Sequence, residues 1–147
     1  MFRHLLVPTD GSELSRATVQ RAVLFASEIG ARITFFHAEP RHTVSFWGNE
    51  GITDPGTREA SIRRDDQRAT SILAAASAEA VAAGVEASAI AGKSDSPFEA
   101  IIATSQSQGC DLIFMASHGR RGIAGLLLGS ETHKVLTHSK IPVLVVR

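Results

Sequence analysis

The residues best suited to chemistry fall into two clusters. The longer is the run Ala116-Ser117-His118-Gly119-Arg120-Arg121-Gly122-Ile123-Ala124-Gly125-Leu126-Leu127-Leu128-Gly129-Ser130. Gly119 and Gly122 remove side chains where backbone must turn or approach another group closely. Gly129-Ser130 opens a helical stretch, and the first N–H groups of a helix carry partial positive charge that binds phosphate without a lysine. Ser130 is expected to cap that helix and to offer its hydroxyl to a phosphate oxygen. Arg120 and Arg121 stand in the same run and can close over negative charge. The shorter cluster is Pro8-Thr9-Asp10-Gly11-Ser12. Asp10 has two readings here: its carboxylate bonds ribose hydroxyls or an adenine amine, or it shapes the turn while Ser12 starts a helix.

Other chemistries find little support. His118 can touch a phosphate, donate a proton, or hold its loop through a structural bond. The six histidines contain no H-E-x-x-H pattern, and His133 and His138 are five apart, off one helical face, so no metal site is expected. There is no G-x-S-x-G nucleophile elbow, no Walker A loop and no dinucleotide fingerprint after the first strand. A phosphate-receiving domain needs an acceptor aspartate after its middle strand, where this chain has Ala91-Gly92-Lys93. Cys110 is the lone cysteine, which rules out an internal disulfide, and it is read as an inert apolar residue.

The elements that must position these clusters alternate. Leu5 to Val7 reads as a strand, followed by a helix from Ser12 to Ile29 with Val19, Ala22, Val23, Ala26 and Ile29 on one stripe and Gly30 as its stop. Ile33 to Ala38 is a nearly continuous apolar run, as in a strand covered on both faces. Residues 39 to 56 read as a loop, with Trp47 packed against the body. A long helix is expected from Thr57 to Ala83, buried through Ile62, Ala69, Ile72, Leu73, Ala76 and Ala80, with an ion-paired outer face. Val85 to Ala91 is a weak third strand. Ser96-Pro97-Phe98-Glu99 then reads as a capped helix start, with serine at N-cap, proline at N1 and glutamate at N3. That helix ends near Gly109, and Leu112 to Ala116 forms a fourth strand. A short helix from Ser130 to His138 and a strand from Pro142 to Val146 close the chain. Alternation of this kind implies a parallel sheet with helices on both faces, doubly wound, with ligands at the carboxyl ends of the strands where their order reverses.

Bulk composition agrees with one 147-residue α/β domain spanning residues 1 to 147. Fifteen basic residues offset fifteen acidic ones, leaving no electrostatic footprint for nucleic acid or an anionic membrane. The opening apolar run is broken by Pro8 and lacks the pattern of a signal peptide, so a cytoplasmic location is expected.

Taken together, these segments resemble the universal stress protein family. The resemblance rests on the first strand with Pro8-Thr9-Asp10-Gly11-Ser12, the second strand ending His37-Ala38, and the Ser117-His118-Gly119 loop with its late Gly129-Ser130. The ending Ser139-Lys140-Ile141-Pro142-Val143-Leu144-Val145-Val146 completes it. It implies a doubly wound five-stranded parallel sheet of order 3-2-1-4-5 and a homodimer joined through strand 143–146. Some members of the family bind ATP or AMP and others do not. Binding members carry G-x-x-G-x(9)-G-[ST]; here Gly119, Gly129 and Ser130 fill the later positions, and Ala116 replaces the first glycine.

By resemblance Asp10 contacts ribose, while Thr9 and Ala38 lie by the adenine, and Pro8 and Met115 are further candidates for the nucleotide site. Ala116, His118, Gly119, Arg120 and Gly122 belong to the phosphate loop. Gly129, Ser130 and the backbone of Glu131 and Thr132 hold phosphates. The expected ligand is ATP or AMP, with Mg as an optional companion. Glu131 opposes a triphosphate unless it turns outward or the pocket favours a shorter phosphate chain. The resulting expectation is a nucleotide-binding, dimeric stress-response sensor or adaptor. The alternatives are slow ATP hydrolysis through His118 and the loop arginines, or a dimeric interaction protein of the same fold that binds no nucleotide.

Overall fold

A computed structural model describes residues 1–42, 54–118 and 128–147. The elements are β1 (His4–Pro8), α1 (Glu13–Ile29), β2 (Arg32–Glu39), α2 (Pro55–Ala82), β3 (Ala87–Lys93), α3 (Pro97–Ser107), β4 (Leu112–Ala116), α4 (Ser130–His138) and β5 (Val143–Val146). The five strands are all parallel and lie in the order β3-β2-β1-β4-β5. Both the alternation and the strand order match the expectations from the sequence.

Each face of the sheet has its own core. Leu5, Val7, Ile33, Phe35, Leu112 and Phe114 pack under α1 and α2 through Val19, Ala22, Val23, Leu73 and Ala76. Leu6, Phe36, Ile113 and Met115 pack on the other face against Ile101 of α3 and Val135 of α4. β1 and β4 lie centrally, so their side chains point into both cores and their apolar runs show no alternation. The edge strand β3 is mostly exposed.

Several boundaries differ from the sequence reading. Helix α2 starts at Pro55 rather than Thr57, because proline in the first turn lacks only an N–H that the helix would not have bonded. Strand β3 runs from Ala87 to Lys93, two residues later than expected. Gly84 takes a left-handed conformation (φ 67) and the Val85 N–H bonds back to the Ala80 carbonyl at 2.9 Å, so Val85 belongs to the cap of α2. Ile29 is exposed rather than part of the buried stripe of α1. On α2, Glu59 and Arg63 form the expected surface pair at 3.7 Å, but Asp65 turns to His42 (2.7 Å) and Asp66 to Lys93 (3.0 Å). Trp47 lies outside the described residues.

Candidate functional site

β1 ends in a web of short bonds. The Thr9 N–H donates to the Phe36 carbonyl at 2.8 Å, and the Thr9 carbonyl accepts from Nδ1 of His37 at 2.7 Å. The Thr9 hydroxyl meets that of Ser15 at 2.8 Å, and the Asp10 N–H donates to Ser15 Oγ at 3.2 Å. Oδ1 of Asp10 accepts the Ser12 N–H at 3.0 Å, and Ser12 caps α1 by accepting from Ser15 N–H at 3.2 Å. Asp10 therefore shapes the turn. That role is compatible with a ligand role, because a carboxylate accepts as many as about four bonds. Gly11 is left-handed (φ 75), and a Cβ there would stand 2.8 Å from Cγ1 of Ile72 on α2. Ser15 and His37 were not expected as partners in this turn; the one available signal was a serine on the buried stripe of α1.

β4 ends in a second web. Ser117 N–H donates to the Val146 carbonyl at 2.7 Å, and the Ser117 carbonyl accepts from Gly129 N–H at 2.8 Å. The Thr132 hydroxyl donates to the Ala116 carbonyl at 3.0 Å. Nδ1 of His118 lies 3.2 Å from Ser117 Oγ, which is the structural reading of that histidine. The chain thus leaves β4 at His118 and returns beside it at Gly129, where a Cβ would meet His118 Cα at 3.1 Å. Gly119, Arg120 and Gly122 lie outside the described residues, as does Arg121.

These two webs sit where the strand order reverses. Among the described residues, the ladder between β1 and β4 covers Leu5–Leu112 and Leu6–Ile113 and then stops. Meanwhile β1 stays paired with β2 up to Pro8–Phe36, and β4 with β5 up to Ala116–Val146. Beyond Leu6 and Ile113 the two central strands part, which is the crevice that doubly wound sheets present to ligands. Pro8, Thr9 and Asp10 form one lip. Ala116, His118 and the start of α4 form the other, Ala38 stands near the end of β2, and Met115, one residue before Ala116, is buried in the core under α3 and α4.

The helix start is arranged differently from the sequence expectation. Gly129, not Ser130, occupies the N-cap position, and among the described residues no side-chain cap bond is made to the first turn. Ser130 is the first helical residue and is exposed, so its hydroxyl does not cap α4. Glu131 turns away to α3: its Oε2 accepts the Phe98 N–H at 2.8 Å and its Oε1 pairs with Lys134 at 3.0 Å. Ser96 holds the N-cap place of α3 without a side-chain cap bond, so the capping box expected from Ser96 and Glu99 is absent.

One further cluster was not anticipated. Glu39, at the end of β2 next to Ala38, is 5% exposed. Burial first, and the neighbouring Asp66 carboxylate second, push its carboxyl above the usual range. The bond to Lys93 holds Asp66 below its own. Cys110 is buried, and burial pushes its thiol up to about 11, the state of an unreactive sulfur. Among the described residues no group of three or more His, Cys, Asp or Glu could hold a metal ion, and no helix is long and apolar enough to cross a membrane.

Known proteins share this fold. The model of the universal stress protein family matches residues 1–147. Universal stress protein YxiE of Bacillus subtilis is 32% identical over 149 aligned positions, covering all of both chains. The solved structure of protein MJ0577, from Methanocaldococcus jannaschii, superposes with a TM-score of 0.81 at 25% identity, over 99% of this chain and 96% of that one. A universal stress protein in complex with cAMP superposes with a TM-score of 0.72 at 25% identity, over 99% and 97% of the two chains. With a full-length family match on a sheet of the same order, this chain belongs to the universal stress protein family.

Proposed function

We propose that the chain is a single domain that binds an adenine nucleotide in the crevice between β1 and β4. Base and ribose lie by Pro8, Thr9, Asp10 and Ala38, and the phosphates meet the backbone N–H groups of Ser130, Glu131 and Thr132. The observation that carries this reading is the parting of the two central strands, with the Asp10 turn on one side and, on the other, a helix start that no described side chain caps. An uncapped N-terminus leaves N–H donors and the positive end of the helix for an anion. The cAMP-bound relative supports the adenine class.

The ligand is ATP or AMP, and any Mg arrives on the phosphates of the nucleotide. We read the function as regulatory: occupancy is read by a partner. The protein works as a homodimer through β5, an edge strand whose Val143, Leu144 and Val145 are half-buried in the isolated chain, and it does so in the cytoplasm. Denaturing the purified protein and identifying the released small molecules by mass spectrometry tests the reading, followed by titration with AMP, ATP and cAMP. An empty protein that binds none of the three would reject it. Light scattering tests the dimer separately.

A further inference from the structure

A carboxylate at the second position of a helix is drawn toward the positive end of that same helix. Glu131 holds that position in α4, and folding back would set it on the N–H groups that a phosphate needs. It reaches across to α3 instead, where its Oε2 accepts from Phe98 N–H at 2.8 Å. Phe98 is the second residue of α3, and that helix has no side-chain cap of its own. The Ser96 N–H is held by Ser94 Oγ at 3.0 Å, within the preceding turn. Lys134 completes the docking: its Nζ lies 3.0 Å from Oε1 of Glu131 and 5.3 Å from the centroid of the Phe98 ring. The ring of His138 stands 5.3 Å from the same ring. Three side chains of α4 therefore grip one residue of α3.

We infer that Glu131 is a positioning residue for phosphate binding: docked on the first turn of α3, it fixes the approach of the α4 N-terminus and keeps its own charge off the phosphate-facing N–H groups. This rests on the nucleotide reading above. A glutamine retains the acceptor oxygen for Phe98 N–H, whereas an alanine leaves that N–H and Lys134 without it.

The test is AMP titration by calorimetry of the wild type, Glu131→Gln and Glu131→Ala, with amide hydrogen exchange at Phe98 read on the same proteins. Glu131→Gln should bind AMP within about twofold of wild type and Glu131→Ala about fivefold to twentyfold more weakly, the scale of a lost helix-terminus bond. The Phe98 amide should exchange faster in the alanine variant and near the wild-type rate in the glutamine variant. Equal affinity in all three proteins overturns the inference, leaving Glu131 as a tie between helices. Tighter binding by Glu131→Ala overturns it too, since the carboxylate would then oppose phosphate. A glutamine variant as weak as the alanine variant assigns the effect to charge rather than docking and also overturns it. A wild-type protein that binds no AMP removes the nucleotide reading and this inference together.

Discussion

The Thr132 hydroxyl donates to the Ala116 carbonyl at 3.0 Å, joining the first turn of α4 to the last residue of β4. Thr132 is 3% exposed, so water does not replace this donor. Thr132→Val keeps the shape of the side chain and removes the O–H. It should cost about 1–2 kcal/mol in denaturant unfolding. Nucleotide affinity should fall in the same variant, because the helix start loses its anchor to the crevice. An unchanged midpoint and unchanged AMP titration would show that the bond holds neither the fold nor the site.

Gly129 approaches the other strand of that loop closely. An added Cβ stands 3.1 Å from His118 Cα and 3.3 Å from the Ser117 carbonyl oxygen, both backbone atoms that yield poorly. Gly129→Val should therefore abolish AMP binding by forcing apart the two ends of the loop, which calorimetry would detect as loss of the binding isotherm. Retained affinity would mean that the loop closure is irrelevant to the ligand.

Glu39 makes stability depend on pH. Its carboxyl is raised above 4.5 by burial and by Asp66, so the fold favours the protonated form. That contribution is complete below the unfolded value and is lost as pH climbs through the raised one. Glu39→Gln mimics the protonated acid at every pH. Its melting temperature should thus exceed that of the wild type by a margin that widens as pH rises above the usual carboxylate range. Asp66 is held below its usual value by Lys93 first and by Glu39 as well, so its own contribution, lost as pH falls, also differs between the two proteins; the comparison is therefore read above the usual carboxylate range, where Asp66 is ionised in both. A margin independent of pH would exclude a buried, titrating Glu39.

Cys110 should resist modification in the folded protein. A thiol raised from 9.0 to about 11 has about a hundredfold less thiolate at neutral pH, since each unit is tenfold. Labelling by a thiol reagent should be slow in buffer and fast in denaturant. Equal rates would place the sulfur at the surface.

Much of the scaffold was legible because it depends on local pattern. The apolar runs of β1, β2 and β4 and the stripe of α1 are properties of neighbouring residues, and Ser12 caps its helix as its type and place predict. The site was legible as two clusters, and topology brought Asp10, just after β1, and Ala116, at the end of β4, to the same edge of two neighbouring strands. What failed was whatever depended on distant partners. Ser96-Pro97-Phe98-Glu99 has the composition of a self-capped helix, yet the N–H of Phe98 goes to Glu131, 33 residues away. Ser130 looked like a cap, but Gly129 takes that place where it packs on Ser117 and His118. Glu39 ends an apolar strand and looked like a loop residue, because burial under α2 leaves no mark in its immediate neighbours.

The 2.8 Å bond between Gly129 N–H and the Ser117 carbonyl has a consequence for how such proteins can diversify. It pins the exit and the return of the intervening segment to one another, independently of what that segment contains. Closing a loop twice as long adds only about 0.6 kcal/mol of entropic cost. Insertions, deletions or grafted sequences between those two residues can therefore vary while β4 and α4 keep their register, making the segment an exchangeable cassette on a fixed socket.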